Sequence, residues 1–398
     1  MKPEGSVIKK SLSYPFIILT FCIYTVQAFF FNVLGPSAAV MMAFYKITPA
    51  QQGFIFSMLS VGVLLSSGYF ALHGERYNKF NVIAAAVLML GVTGVVVGQA
   101  PPYAALALLI MVSGAGYTTI DVMVNGMIPE LYPKQKNTLL PMVHAFFGTG
   151  AVLTPILVTT IVNPDVPSTF TKPFQLVGML MFVFFIVFFI VSRRVIPETA
   201  YADMDTVRKR VSGSPAEILK KRKAWLYLGA SMLYFSFLTG VVNWLPSYCG
   251  EIGMDFSASG AMLMTFFVGA LIMRFCGPLI LKKMAVRNAY LLFGLIAAAA
   301  VAAALCITSP AAMRILIFIG GFSQGSSLAF LILMCTGAFP ERAASASSLI
   351  FCAAGAAGIV APLSMGALAK VIGFRIPLLL GCALKTFSVL LIFLTEKR

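Results

Sequence analysis

Charge is what this chain has least of. Only 11% of its 398 residues are Asp, Glu, Lys or Arg, and just thirteen of them are acids. A soluble domain carries about 25% charged residues, so a soluble globular class is excluded. Histidine is scarcer still, with two, and the seven cysteines show neither metal-like nor redox-like spacing. They read as small packing residues, and no metal or cofactor is expected. No GxxxxGK[ST] loop occurs, which removes the usual phosphate cradle of ATP-driven proteins. The longest polar stretch, from Arg193 to Lys223, is too short to fold as an enzyme.

What is present is apolar sequence, at 60% of the chain and a mean hydropathy of +0.94. A helix needs about 20 apolar residues to cross a bilayer. Twelve such segments follow one another, with cores near 14–40, 52–72, 81–99, 103–128, 138–162, 174–192, 224–248, 257–281, 288–307, 312–336, 344–368 and 374–394. The first begins near Tyr14, is too long for a signal core and has no small-residue cleavage site. The reading is an all-α, multi-pass membrane protein. Its net charge of +16 would suggest nucleic acid in a soluble protein, but here the positive-inside rule accounts for it. With both termini cytoplasmic, that side carries 22 of the 29 Lys and Arg; five lie opposite, and Arg274 and Lys385 lie inside segments eight and twelve. A cell membrane, most simply a bacterial inner membrane, is the expected location, and a monomer the expected state.

The polar stretch divides the chain into an N-terminal bundle (1–192), a basic cytoplasmic linker (193–223) and a C-terminal bundle (224–398). One offset, 207 residues, superposes Gly53 on Gly260, Gly62 on Gly269, Gly114 on Gly321, Pro133 on Pro340, Gly148 on Gly355 and Pro155 on Pro362. Six matches spread over four segments and a loop are the mark of an internal repeat. Twelve helices in two pseudo-symmetric six-helix bundles follow.

Of the thirteen acids only Asp121 sits inside an apolar segment. An Asp at mid-helix costs about 2.5–3.5 kcal/mol for insertion, which makes it a functional candidate by default. Gly114, Thr118, Asp121 and Asn125 share one small, polar helix face, so that face should meet a cavity. His144 lies in the next segment. Asp121 is 12 residues before Pro133 and His144 is 11 after it, so an antiparallel hairpin puts the two at one depth, where they could share a hydrogen bond or a proton. The offset places Leu328 opposite Asp121 and Phe351 opposite His144. The second half therefore offers only neutral candidates, Asn243, Trp244, Gln324 and neighbouring serines, and segment one adds Gln27 and Asn32. Lys385 reads as a snorkelling or inter-helix residue.

Two six-helix halves joined by a basic linker resemble the major facilitator superfamily. The loop GERYNKFNVI (Gly74–Ile83) is similar to that superfamily's signature between its second and third helices, with Glu75 for the acid, Arg76 and Lys79 for the basic residues and Asn78 in place of the usual Gly. The resemblance implies the major facilitator fold and a gating role for Glu75 and Arg76, and for Arg274 at the cytoplasmic end of segment eight. IDVMVNGMI, MVHAFFGTGA and NWLPSYC resemble segments four, five and seven of the fucose–galactose–glucose proton symporter family. That family carries Glu and then Asn where this chain has Asp121 and Asn125, and Gln where it has His144. It has a second acid where Asn32 stands here, and relatives carry Glu at the position of Leu238.

The expected function is therefore secondary active transport by alternating access. In the preferred form it is proton-coupled uptake of a small neutral solute, a sugar or sugar-like metabolite. Asp121 and His144 would handle the proton, and Gln27, Asn32, Asn125, Asn243, Trp244 and Gln324 would contact the solute. The alternative is a proton-coupled exporter of drugs or organic cations, with Asp121 as counter-ion. The partners are the bilayer, the proton and the solute.

Overall fold

The computed structural model describes residues 10–73, 77–132, 135–195, 218–339 and 343–396. Most of the basic linker lies outside them. Among the described residues every regular element is helical, and twelve helical stretches are long and apolar enough to cross a membrane. The protein is all-α and multi-pass. The chain runs α1 (Lys10–Asn32), α2 (Leu34–Tyr45), α3 (Pro49–His73), α4 (Lys79–Val97), α5 (Tyr103–Leu131), α6 (Lys136–Ile161) and α7 (Thr171–Val195). After the linker come α8 (Arg222–Glu251), α9 (Phe256–Leu281), α10 (Val286–Ala304), α11 (Pro310–Gln324), α12 (Ser327–Ala338), α13 (Ala343–Ile372) and α14 (Arg375–Phe393).

Two of the twelve apolar segments are interrupted. Segment one bends at Val33, between α1 and α2. Pro36 explains it: proline has no N–H to offer the carbonyl four residues back, here that of Asn32, and its ring crowds that carbonyl. Segment ten breaks at Gly325–Ser326, between α11 and α12. The break is docked, because Ser326 Oγ donates to the Met273 carbonyl at 3.0 Å and a Cβ on Gly325 would overlap the Ala270 carbonyl.

The repeat is written into the packing. Gly62 of α3 lies on the backbone of α5 at Met111 and Ala115; Gly269 of α9 lies on α11 at Phe318 and Phe322. Those partners are themselves 207 residues apart, so equivalent glycines make equivalent helix crossings. A Cβ at Gly269 would stand 2.5 Å from the Phe318 carbonyl oxygen, so close approach requires glycine at that position.

The helices group into two compact units. One comprises Met1–Phe31, Val61–Gly150 and Thr171–Ser212; the other comprises Asn32–Ser60, Ala151–Phe170 and Gly213–Arg398. The second therefore takes in α2, the first half of α3 and the last turns of α6 together with the C-terminal helices. Within it Ser57 Oγ donates to the Ile359 carbonyl at 2.6 Å, and Gly53 rests against Pro362.

Candidate functional site

Within the first unit α1, α5 and α6 converge on Asp121. Helix α6 can lie on α1 because Gly150 has no side chain: a Cβ there would overlap the Thr25 carbonyl. Nearly two turns earlier on α6, the same approach brings His144 against Tyr24, ring centroids 6.0 Å apart and edge-on at 86°. The Tyr24 hydroxyl donates to Asp121 Oδ1 at 3.0 Å. His144 Nε2 meets Asn125 Oδ1 at 3.2 Å; that oxygen only accepts, so Nε2 carries the hydrogen. Asn125 sits one turn beyond Asp121 on α5, and its amide lies within hydrogen-bonding reach of the carboxylate. Asn125 thus links the imidazole to the acid, and His144 is near enough for its charge to act on Asp121.

The hairpin depth inferred for Asp121 and His144 agrees with this arrangement, with Asn125 as the link between them. Among the described residues no Lys or Arg pairs with Asp121. Its surroundings are a phenol, an amide and an imidazole. Asp121 and Asn125 are partly buried and His144 is exposed, so the cluster lies at an accessible face of the unit. Thr118, on the same face of α5, is buried and spends its hydroxyl on the Gly114 carbonyl. Gln27, one turn from Tyr24 along α1, is fully buried, and neither atom of its amide finds a partner.

Tyr24 joins the cluster although it is not among the candidates named from sequence. Its signal is a phenol inside the Phe-rich run FCIYTVQAFFF. A buried tyrosine hydroxyl needs a partner, and segment four held the only acid available within the membrane.

The second unit holds the remaining neutral candidates. Asn32 and Gln324 are buried and Asn243 is partly buried. Gln324 accepts from Ser327 Oγ at 3.4 Å, and its amide lies within reach of the Tyr234 hydroxyl. Trp244 departs from its expected role as a platform for solute. It is 1% exposed, wedged between Phe56 and Phe374 at centroid distances of 4.8 and 5.2 Å, and its Nε1 donates to the Pro362 carbonyl at 3.3 Å. The ring is a packing anchor with no free face. Trp244→Ala should therefore cost about 3–5 kcal/mol of stability, read by thermal unfolding, and leave the folded protein's solute affinity within about threefold. Weakened binding at unchanged stability would return Trp244 to the solute contacts.

Of the gating candidates, Glu75 and Arg76 lie outside the described residues. Arg274 is exposed on α9, and its charge is felt at Tyr234 of α8. The rest of the signature loop is accounted for. Asn78, standing where the superfamily has Gly, caps α4 by accepting from the backbone N–H of Phe80 at 3.0 Å and of Asn81 at 3.3 Å. The buried Lys79 runs its stem over Gly126 of α5.

Twelve helices long and apolar enough to cross a membrane, with a hydrogen-bonded acid inside one of them, define a multi-pass membrane protein with a polar site in its helices. The model of the Major Facilitator Superfamily matches residues 20–313, and the chain belongs to that superfamily. It is 20% identical over 341 residues, 85% of each chain, to an uncharacterized MFS-type transporter, YfkL, of Bacillus subtilis. It is 21% identical over 364 residues, 88% of each chain, to a putative metabolite transport protein of Haemophilus influenzae. Among solved structures it resembles a bacterial homologue of the human lysosomal transporter Spinster in its inward-facing, occupied form, with a TM-score of 0.78, 15% identity and 98% of each chain covered. It also resembles the nucleoside transporter NupG, with a TM-score of 0.75, 14% identity, and 97% and 98% of the two chains covered. At these identities the structures establish the fold.

Proposed function

We propose that the protein is a proton-coupled transporter that takes up a small neutral polyhydroxy solute, a sugar or sugar-like metabolite, by alternating access. The observation that carries this reading is the state of Asp121. It is an acid within a membrane-spanning helix, held by Tyr24 and Asn125 and bonded to no permanent cation among the described residues. A carboxylate locked to Arg would stay ionised through a transport cycle. One surrounded by neutral donors and a titratable imidazole can take up and release a proton as its surroundings change.

The solute class follows from the remaining polar groups. Gln27 keeps both atoms of its amide without a partner. Amides that both donate and accept suit hydroxyl-rich solutes. The similarity of segments four and five to the fucose–galactose–glucose proton symporter family supports the same class. With Trp244 enclosed, the solute contacts rest on Gln27, Asn32, Asn125, Asn243 and Gln324. The likeness to a nucleoside transporter makes nucleosides, which carry a sugar, natural members of the screening set.

A thermal-shift screen of the purified protein across sugars, nucleosides, organic acids and cationic drugs would name a ligand. Equilibrium binding of that ligand between pH 8 and pH 6 then tests the class. A neutral solute needs no charge partner, so its affinity should hold constant or improve on acidification. A cation would need Asp121 ionised, and its affinity should fall as Asp121 takes up a proton. Binding that collapses towards pH 6 would replace this reading with a cation exporter. The cell membrane as location, with both termini in the cytoplasm, belongs to the same proposal and rests on the distribution of Lys and Arg.

A further inference from the structure

The C-terminal helices enclose a cation that the Asp121 cluster does not involve. Lys385, on α14, has no exposed surface. Of the two roles open to it from sequence, snorkelling to a membrane face or sitting between helices, it takes the second. Its Nζ lies over two tyrosine rings, 4.7 Å from the Tyr234 centroid and 4.5 Å from that of Tyr290, and negative ring faces attract a cation there. It donates to the Tyr290 hydroxyl at 3.5 Å and to Ser327 Oγ at 3.4 Å.

Both oxygens are oriented to accept. Ser388 Oγ donates to the Ala230 carbonyl at 2.6 Å, so it accepts from Tyr290, and Tyr290 turns a lone pair to Lys385. Ser327 likewise spends its hydrogen on Gln324 Oε1. The ionisable groups around Nζ are Tyr234 from α8 and Tyr290 from α10, with Arg274 of α9 acting on Tyr234 from beyond. Helices α12 and α13 bring no ionisable partner, and Cys382 lies one turn earlier on α14 itself. Among the described residues no carboxylate pairs with Lys385. The cage accommodates an ammonium but supplies no anion to fix it there.

The position of the cage gives this charge something to act on. Ser327 is the first residue of α12, directly after the Gly325–Ser326 break. A cation beside the first turn of a helix opposes that helix's dipole. We propose that Lys385, with Tyr234, Tyr290, Ser327 and Gln324, is a second proton-binding site of this transporter, and that its charge state loosens or tightens the start of α12 at the break in segment ten. Binding converts the neutral amine and a proton to the ammonium; release returns the proton when the break opens, because Nζ is otherwise enclosed. The site stands independently of Asp121.

The test is hydrogen–deuterium exchange of the purified full-length protein, in detergent and without solute, at several values from pH 6 to pH 9, with each rate normalised to its intrinsic value. Protection over residues 326–332 should fall more than threefold on acidification in the wild type. It should hold constant in Lys385→Met, which keeps the bulk without a charge, and in Lys385→Arg, which stays charged throughout. Asp121→Asn should keep the wild-type pattern, which separates this site from the coupling acid. Protection that is flat with pH in the wild type would overturn the proposal whether or not the variants fold, and so would a pH response that survives Lys385→Met.

Discussion

Proteoliposomes carrying Asp121→Asn are expected to lose pH-gradient-driven accumulation while still exchanging solute across the bilayer. Coupling one proton to one solute lets a gradient of one pH unit support about tenfold accumulation, since each unit is worth about 1.4 kcal/mol. Asparagine keeps the size of the side chain and can still bond Tyr24, so the cluster of α1, α5 and α6 should survive the change. What disappears is the protonatable oxygen that Tyr24 contacts at 3.0 Å. The accumulation ratio should fall from about ten to one, while counterflow stays within a few-fold of wild type. Full gradient-driven accumulation by the variant would remove Asp121 from the coupling path. Loss of exchange together with accumulation would show that the residue serves solute binding or folding.

The second large effect concerns the repeat. Gly62→Val and Gly269→Val place a branched side chain where another helix's backbone already lies: Met111 and Ala115 in the first case, Phe318 and Phe322 in the second. Backbone cannot swing aside as a long side chain can, so α3 must separate from α5, or α9 from α11. Each substitution should cost more than about 3 kcal/mol and appear as loss of the monodisperse folded species in detergent. Gly68, also on α3, has open space where its Cβ would stand, so Gly68→Ala should be neutral or stabilising by up to about 1 kcal/mol. Equal tolerance at all three positions would contradict the helix crossings described above.

These glycines also show what the sequence made readable. A 207-residue offset matched Gly62 to Gly269, and the structure adds that their partners obey the same offset. Repetition and hydropathy are properties of the chain as a line, so twelve apolar spans, the internal repeat and the acid on a polar face of α5 could all be read from it. The rotation of one helix against another depends on packing between distant segments and could not. Lys385 meets Tyr234, 151 positions earlier in the chain, and no local pattern announces that contact. Trp244 looked like a platform because tryptophan beside asparagine suits a sugar, and only the positions of Phe56 and Phe374 show that its faces are covered. The interruption of α1 at Val33 had a visible cause in Pro36. Yet Pro246, Pro278 and Pro362 sit inside helices that continue past them, so proline alone does not locate a break.

Under the proposed function, solute and proton cross together through a cycle in which Asp121 is alternately loaded and emptied. Its most direct measurement is proton movement during solute entry, followed by a pH-sensitive dye trapped inside proteoliposomes that contain the wild-type protein, with the solute from the thermal-shift screen added outside and no pH gradient imposed. The interior should acidify as solute enters, with about one proton per solute, and Asp121→Asn should abolish the acidification. Solute entry at constant internal pH, or entry that makes the interior alkaline, would contradict it.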